Sequence, residues 1–146
     1  KNPPQRMVKV TGDKKAYLHL LLDADPCEVM VDRYLEEGDM FILERDGKVI
    51  GEAVVDEKGE IKNLAVLPEY QGKLYGMYIL SFLAGYYNRF SCLWVGTSEG
   101  GVGYYERYGF VQDHVVKNFF TDNYPEPIID NGKPCVDMTY LRLEIR

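Results

Sequence analysis

The chain has 146 residues, 46% of them apolar, which is about the size of one compact domain with a real core. Its 17 Lys and Arg against 23 Asp and Glu give a formal net charge of -6, and the basic residues are spread along the chain, so there is no footprint for nucleic acid or an anionic membrane and a cationic substrate is the natural partner. Three widely separated cysteines, Cys27, Cys92 and Cys135, lack a metal-ligand spacing and cannot form a paired disulfide framework, so a reducing cytoplasm is expected.

Residues 1–6 lack the apolar segment and the small-residue cleavage site of a secretory leader, and are expected to be a frayed tail on one domain spanning 1–146. Residues 7–11 alternate apolar and polar as a half-buried edge strand does, and Gly12-Asp13 ends them. Tyr17, Leu18, Leu21 and Leu22 give residues 14–22 helical spacing. A second helix is expected to open at Asp25-Pro26-Cys27-Glu28, with Asp25 as acceptor cap, proline first and glutamate third. Asp46-Gly47 between the apolar runs 40–44 and 49–55 predicts a hairpin, and Lys58-Gly59 turns the chain into a third strand over 60–67.

That strand runs through a proline turn into a glycine-bearing helix start over residues 64–76. The first amides of a helix have no internal acceptor and lie at the positive end of its dipole, so they can hold an anion where small residues let it approach. Gly72, Lys73 and Gly76 meet that requirement. Residues 74–88 carry no charge and are too few to span a bilayer; Leu74, Met77, Leu80 and Leu83 predict a buried helix laid on a sheet.

Cys92-Leu93-Trp94-Val95 reads as a short buried strand, and the helical crossover before it predicts parallel pairing with residues 60–67. Residues 98–103 form a glycine-rich loop, residues 102–108 a short helix ended by Gly109, and residues 111–121 and 136–145 two further strands. Between those, residues 122–134 hold three prolines and are expected to be a loop outside the sheet ladder. The fold class is α+β: a mixed, mostly antiparallel sheet flanked by helices, with one parallel strand pair. His19 and His114 have no acidic or cysteine partner at ligand spacing, and no metal is expected.

Two motifs carry a family resemblance. Leu64-Ala65-Val66 followed by Pro68-Glu69-Tyr70-Gln71-Gly72-Lys73 and Gly76 resembles the pyrophosphate motif of the GNAT-type N-acetyltransferases, and Tyr104-Tyr105-Glu106-Arg107-Tyr108-Gly109-Phe110 resembles their late motif. Element order matches over nearly the whole chain, and neither G-x-G-x-x-G nor G-x-x-x-x-G-K-[ST] is present to favour a dinucleotide or nucleoside triphosphate. The resemblance implies acetyl-coenzyme A as co-substrate. It places the pantetheine arm along the backbone of Leu64, Ala65 and Val66, where a parallel strand pair splays apart, and the pyrophosphate on Gln71, Gly72, Lys73, Leu74, Tyr75 and Gly76. One departure stands out: the family's Gln/Arg-x-x-Gly-x-Gly/Ala has Leu74 at its first glycine, and that side chain either crowds the pyrophosphate or turns to the core.

Acetyl transfer needs a neutral attacking amine, a polarised thioester carbonyl and a proton for the departing thiolate. An alkyl amine, with an unperturbed value of about 10.4, is charged at neutral pH, so the site needs a base, a desolvating pocket or both. Glu60 is the candidate base by resemblance to the histone-modifying members; the other reading is a solvated turn residue after Lys58-Gly59. Tyr105 matches the family tyrosine that reaches the coenzyme sulfur as general acid, against a packing role that Tyr104 or Tyr108 would fill equally well. Ser98 stands where the family often has an asparagine touching the coenzyme, and a plain loop serine is the alternative.

Acceptor selection is expected in residues 14–37 and in the proline-rich loop, where Asp122, Tyr124 and Glu126 could meet an ammonium group or serve solubility only. The expected activity is transfer of acetyl to a primary amine of a small molecule or peptide by direct attack. The alternative is a catalytically weak acyl-coenzyme A sensor module. Nucleic acid and membrane are not expected partners, and a homodimer is left open.

Overall fold

A computed structural model describes residues 4–145, which fall into two compact units, one ending at Tyr87 and one beginning at Asn88. In the first unit β1 (Gln5–Lys9), β2 (Asp39–Arg45), β3 (Lys48–Val55) and β4 (Glu60–Val66) pair in chain order, each antiparallel to the last. The β2–β3 turn holds Asp46 at φ 51° and Gly47 at φ 81°, the left-handed pair that a two-residue hairpin requires. One sheet face buries Met40, Ile42 and Val54 against Leu21, Val31 and Leu35 of helices α1 (Leu18–Ala24) and α2 (Glu28–Leu35). The other takes α3 (Tyr75–Tyr86). A Cβ on Gly51 would lie 3.2 Å from Ile79 Cδ1 and 3.0 Å from the Ala65 carbonyl, so the glycine lets that helix close on β3.

Two expectations for this unit are corrected. The first strand begins at Gln5, inside the expected tail, because Arg6 and Arg45 find partners across the ladder: Arg6 Nε donates to Glu44 Oε1 at 3.1 Å and Arg45 Nη1 to Gln5 Oε1 at 2.7 Å. The rest of that tail, residues 1–3, lies outside the described residues. Asp25 does not cap α2, whose N-cap is Cys27 with no side-chain bond. Its carboxylate, in a residue 8% exposed, instead accepts the Tyr34 hydroxyl at 2.8 Å, a partner two turns into the helix.

In the second unit β9 (Met138–Glu144) pairs antiparallel with both β5 (Cys92–Thr97) and β6 (Val111–Val116). The strand expected over 111–121 stops at Val116. Asn118 takes a left-handed φ of 61° and its N–H goes to Asp137 Oδ1 at 2.9 Å, which starts α5 (Phe119–Asn123) and buries Phe120. The proline-rich segment stays out of the larger sheet, as expected, yet it is not structureless. Ile129–Asp130 (β7) and Lys133–Pro134 (β8) form a hairpin of their own through Asn131 and Gly132, both at positive φ.

Candidate active site

The expected phosphate cradle is a turn with two left-handed residues. After the 3-10 turn Pro68–Tyr70, Gly72 has φ 75° and Leu74 φ 70°, and Tyr78 N–H makes the first intrahelical bond of α3, to the Leu74 carbonyl at 3.0 Å. The amides of Tyr75, Gly76 and Met77 precede that bond and have no i-4 acceptor within the helix. A Cβ on Gly72 would meet nothing within 4 Å, so the approach is open there. Leu74 is 75% exposed, which answers the alternative left by the sequence: the side chain does not turn to the core. Gln71 is engaged, its Nε2 donating to the Val66 carbonyl at 2.9 Å and tying the turn to the end of β4.

Sequence reasoning missed the cations that the β2–β3 hairpin brings to this turn. Arg45 lies 5.8 Å from the Tyr75 ring and Lys48 5.4 Å from the Tyr70 ring, while those two rings meet edge to face at 5.9 Å. The positive charge around this turn therefore comes from Arg45 and Lys48 of the hairpin as well as from Lys73.

β4 presents its groups in a definite order. Leu67 N–H donates to the Ile50 carbonyl at 2.8 Å and Ala65 pairs with Glu52, so by ladder alternation the amides of Leu64 and Val66 point away from β3. Between Val54 and Val55 the register slips by one, so that Ile61 pairs with Val55 and Asn63 with Val54. This bulge turns Glu60 and Lys62 to one side, where Lys62 Nζ is 3.2 Å from Glu60 Oε2 and 5.8 Å from the Tyr34 ring. The Glu60 side chain is 22% exposed and its backbone N–H is held by Asp56 Oδ1 at 2.9 Å. A freely solvated turn glutamate would have neither restraint.

In the second unit, α4 (Val102–Tyr108) carries Tyr105 one turn before its end. Gly109, at φ 125°, donates to the Tyr105 and Glu106 carbonyls, and Phe110 N–H to the Tyr105 carbonyl at 3.1 Å, which stops the helix. Phe110, 2% exposed, packs edge-on to the Tyr105 ring at 5.5 Å, and Tyr104 meets the same ring at 5.2 Å and 90°. Tyr105 is thus held by aromatic rings from two sides. Burial pushes the Tyr104 hydroxyl above its ordinary range, with Arg107 opposing.

Ser98 donates its hydroxyl to Asp130 Oδ2 at 2.9 Å and so fastens the β7–β8 hairpin to the loop after β5. Asp122 and Glu126 are exposed, and Tyr124 is half-buried with its ring 5.6 Å from that of Phe120. Among the described residues no three His, Cys, Asp or Glu gather as metal ligands, and no helix is long and apolar enough to cross a membrane.

A strand with outward amides running into an open, cation-flanked helix start offers backbone donors to an extended ligand and an anion site at the helix end. Residues 36–112 match the family model described as Acetyltransferase (GNAT) domain, a span that covers just over half of the chain and both motifs, and the chain belongs to that family. It is similar to a Bacillus subtilis (strain 168) protein, uncharacterized N-acetyltransferase YvbK, with 29% identity over 135 residues, 86% of this chain and 87% of that one. Among solved structures, a GNAT family acetyltransferase from Elizabethkingia anophelis with acetyl-CoA bound is 33% identical over 98% of this chain and 99% of its own, with a TM-score of 0.89. A Bacillus subtilis acetyltransferase in complex with CoA is 27% identical over 96% and 98%, with a TM-score of 0.86. The α+β class expected from sequence, a mostly antiparallel sheet flanked by helices, is the one these structures share. The chain is an acetyl-coenzyme A dependent acyltransferase.

Proposed function

We propose that the protein acetylates a primary amine of a small molecule or peptide by direct attack on acetyl-coenzyme A, as one domain acting in a reducing cytoplasm. The observation that carries this reading is the state of Glu60: a mostly buried carboxylate, turned by the β4 bulge, already holding the ammonium of Lys62 beside an aromatic ring. A substrate ammonium needs the same environment, a carboxylate to take its proton and a ring face to receive its charge. In this reading Glu60 takes the amine proton, a Leu64 or Val66 amide polarises the thioester oxygen, and Tyr105 protonates the departing sulfur.

The same proposal assigns supporting roles. Gly72, Lys73 and the amides of Tyr75 and Gly76 hold the pyrophosphate, with Gln71 fixing the turn. Ser98 acts by positioning the β7–β8 hairpin, and Asp122, Tyr124 and Glu126 lie on the segment assigned to acceptor choice. The test is release of free thiol from acetyl-coenzyme A across a panel of polyamines, aminoglycosides, amino acids and peptides. Turnover is expected with at least one cationic amine, Tyr105→Phe is expected to lower kcat with coenzyme binding retained, and Glu60→Gln to remove the acid limb of the rate profile. Turnover with any amine excludes a sensor module, whereas binding without turnover leaves that module standing beside an enzyme whose acceptor lies outside the panel.

A further inference from the structure

Glu52 stands in the middle of β3 with 0% of its surface exposed, and neither carboxyl oxygen has a hydrogen-bond partner among the described residues. Burying a carboxyl without a partner costs folding free energy that an apolar side chain of similar size would not. Its surroundings suggest what that cost maintains. Glu52 pairs with Ile42 on β2 and Ala65 on β4, so its side chain points to the face that Ile42 and Val54 share with α1 and α2.

Asn63 lies on the same face, opposite Val54 and diagonal to Glu52, and is 4% exposed. Its amide nitrogen is fully used, donating to the Leu21 carbonyl and to the Tyr34 hydroxyl, both at 3.0 Å, and that hydroxyl donates to Asp25 Oδ2 at 2.8 Å. Asn63 Oδ1, however, is buried with no partner. Three acceptor oxygens on two neighbouring side chains therefore lack a donor. Burial raises the Glu52 carboxyl well above its ordinary range, so it keeps a proton beyond the pH at which an exposed glutamate loses one.

We propose that Glu52 is a positioning residue of the acetyl-transfer site. As the neutral acid it donates Oε–H to Asn63 Oδ1, directly or across one water, and completes a buried chain from Asp25 through Tyr34 and Asn63 to β3. That chain ties the end of α1 and the far turn of α2 to the part of β4 that carries Leu64, Ala65 and Val66. The inference rests on the proposed role of those three residues in holding the thioester. Glu60 and Lys62 are the other ionisable groups that β4 brings to this side; β2 contributes Met40 and Ile42, while His19 and Asp23 of α1 are exposed. Loss of the Glu52 proton would set a carboxylate against Asn63 Oδ1 and break the chain, so turnover falls on the alkaline side.

Two variants and a spectrum test this. Glu52→Gln keeps an N–H donor for Asn63, whereas Glu52→Leu keeps the volume and removes the donor. The native protein is expected to show the infrared carbonyl band of a protonated carboxyl at neutral pH, missing in Glu52→Gln. Glu52→Gln is expected to retain kcat within about threefold and lose the alkaline fall, and Glu52→Leu to lose about tenfold or more in kcat with little change in the KM for coenzyme. Absence of the infrared band, or native kcat and pH profile in Glu52→Leu, would overturn the proposal. If the native chain acetylates no amine, that failure falls on the proposed function, and the infrared band, which needs no turnover, judges the hydrogen bond separately.

Discussion

At position 74 a leucine holds a backbone conformation that glycine adopts freely: φ 70° with the side chain 75% exposed, where packing returns little. A left-handed residue with a Cβ costs about 1–2 kcal/mol, and glycine gives back part of that gain through the freedom of the unfolded chain. Leu74→Gly is therefore expected to raise Tm by about 2–4 °C in a thermal melt and, if the pyrophosphate sits on this turn as proposed, to tighten coenzyme binding in calorimetry, since the side chain leaves the approach. Leu74→Ala keeps the strain and is expected to gain no stability. Glu52 makes a second prediction at this scale. From its ordinary value of 4.5 up to its raised value, the native protein keeps a proton that the unfolded chain releases. Its contribution to stability is thus complete below 4.5 and is lost as pH rises through that window, with a slope of at most about 1.4 kcal/mol per unit. Glu52→Gln has no such slope, so in urea unfolding its advantage over the native protein is expected to grow with pH; a constant difference would mean that Glu52 is ionised in the fold.

Helix α4 shows how an element places one hydroxyl. Its seven residues are too few to be stable alone, so its position depends on where it stops and on what its rings pack against. The stop is Gly109, whose φ of 125° a side chain rarely adopts, although a Cβ there would meet only Leu143 Cδ1 at an ordinary 3.5 Å. The cost of Gly109→Ala is thus conformational rather than steric, about 1–2 kcal/mol, and it displaces Phe110, the ring that packs against Tyr105. Gly103 lies inside the same helix with Arg107 Nη1 as the nearest atom at 3.7 Å, so Gly103→Ala adds helix propensity without a clash. The two substitutions are expected to move stability in opposite directions, Gly103→Ala upward by about 0.5–1 kcal/mol, with kcat reduced only by Gly109→Ala.

For the molecule as a whole, what could be read from sequence was what neighbouring residues decide together. The Asp46-Gly47 hairpin, the apolar spacing of α3 and the two motifs are contiguous, and their chemistry is contained in a few adjacent side chains. What escaped was settled across long separations: Asp25 finds Tyr34 rather than a helix amide, Asp137 starts α5 from 19 residues away, and a bulge against β3 decides which way Glu60 faces. Glu52 did leave a trace, a lone charge inside the apolar run of β3, whereas nothing local marks Arg45 and Lys48 as neighbours of the turn before α3. These two matter for a reason that only the total charge exposes. A chain of net charge -6 repels an anionic coenzyme, and at ordinary ionic strength that repulsion acts over about 8–10 Å, so cations at the turn must offset it locally. Lys48 is half-exposed, over the Tyr70 ring and 3.8 Å from Glu69, so its share is modest. Lys48→Ala is expected to weaken coenzyme binding by about two- to fivefold in low salt, with the difference vanishing near 1 M salt. Lys58→Ala removes the same charge at the exposed β3–β4 turn and is expected to change it little. Equal losses from both would mean that net charge and not its place at the turn governs binding, and a loss that survives high salt would mean that Lys48 acts through packing on Tyr70.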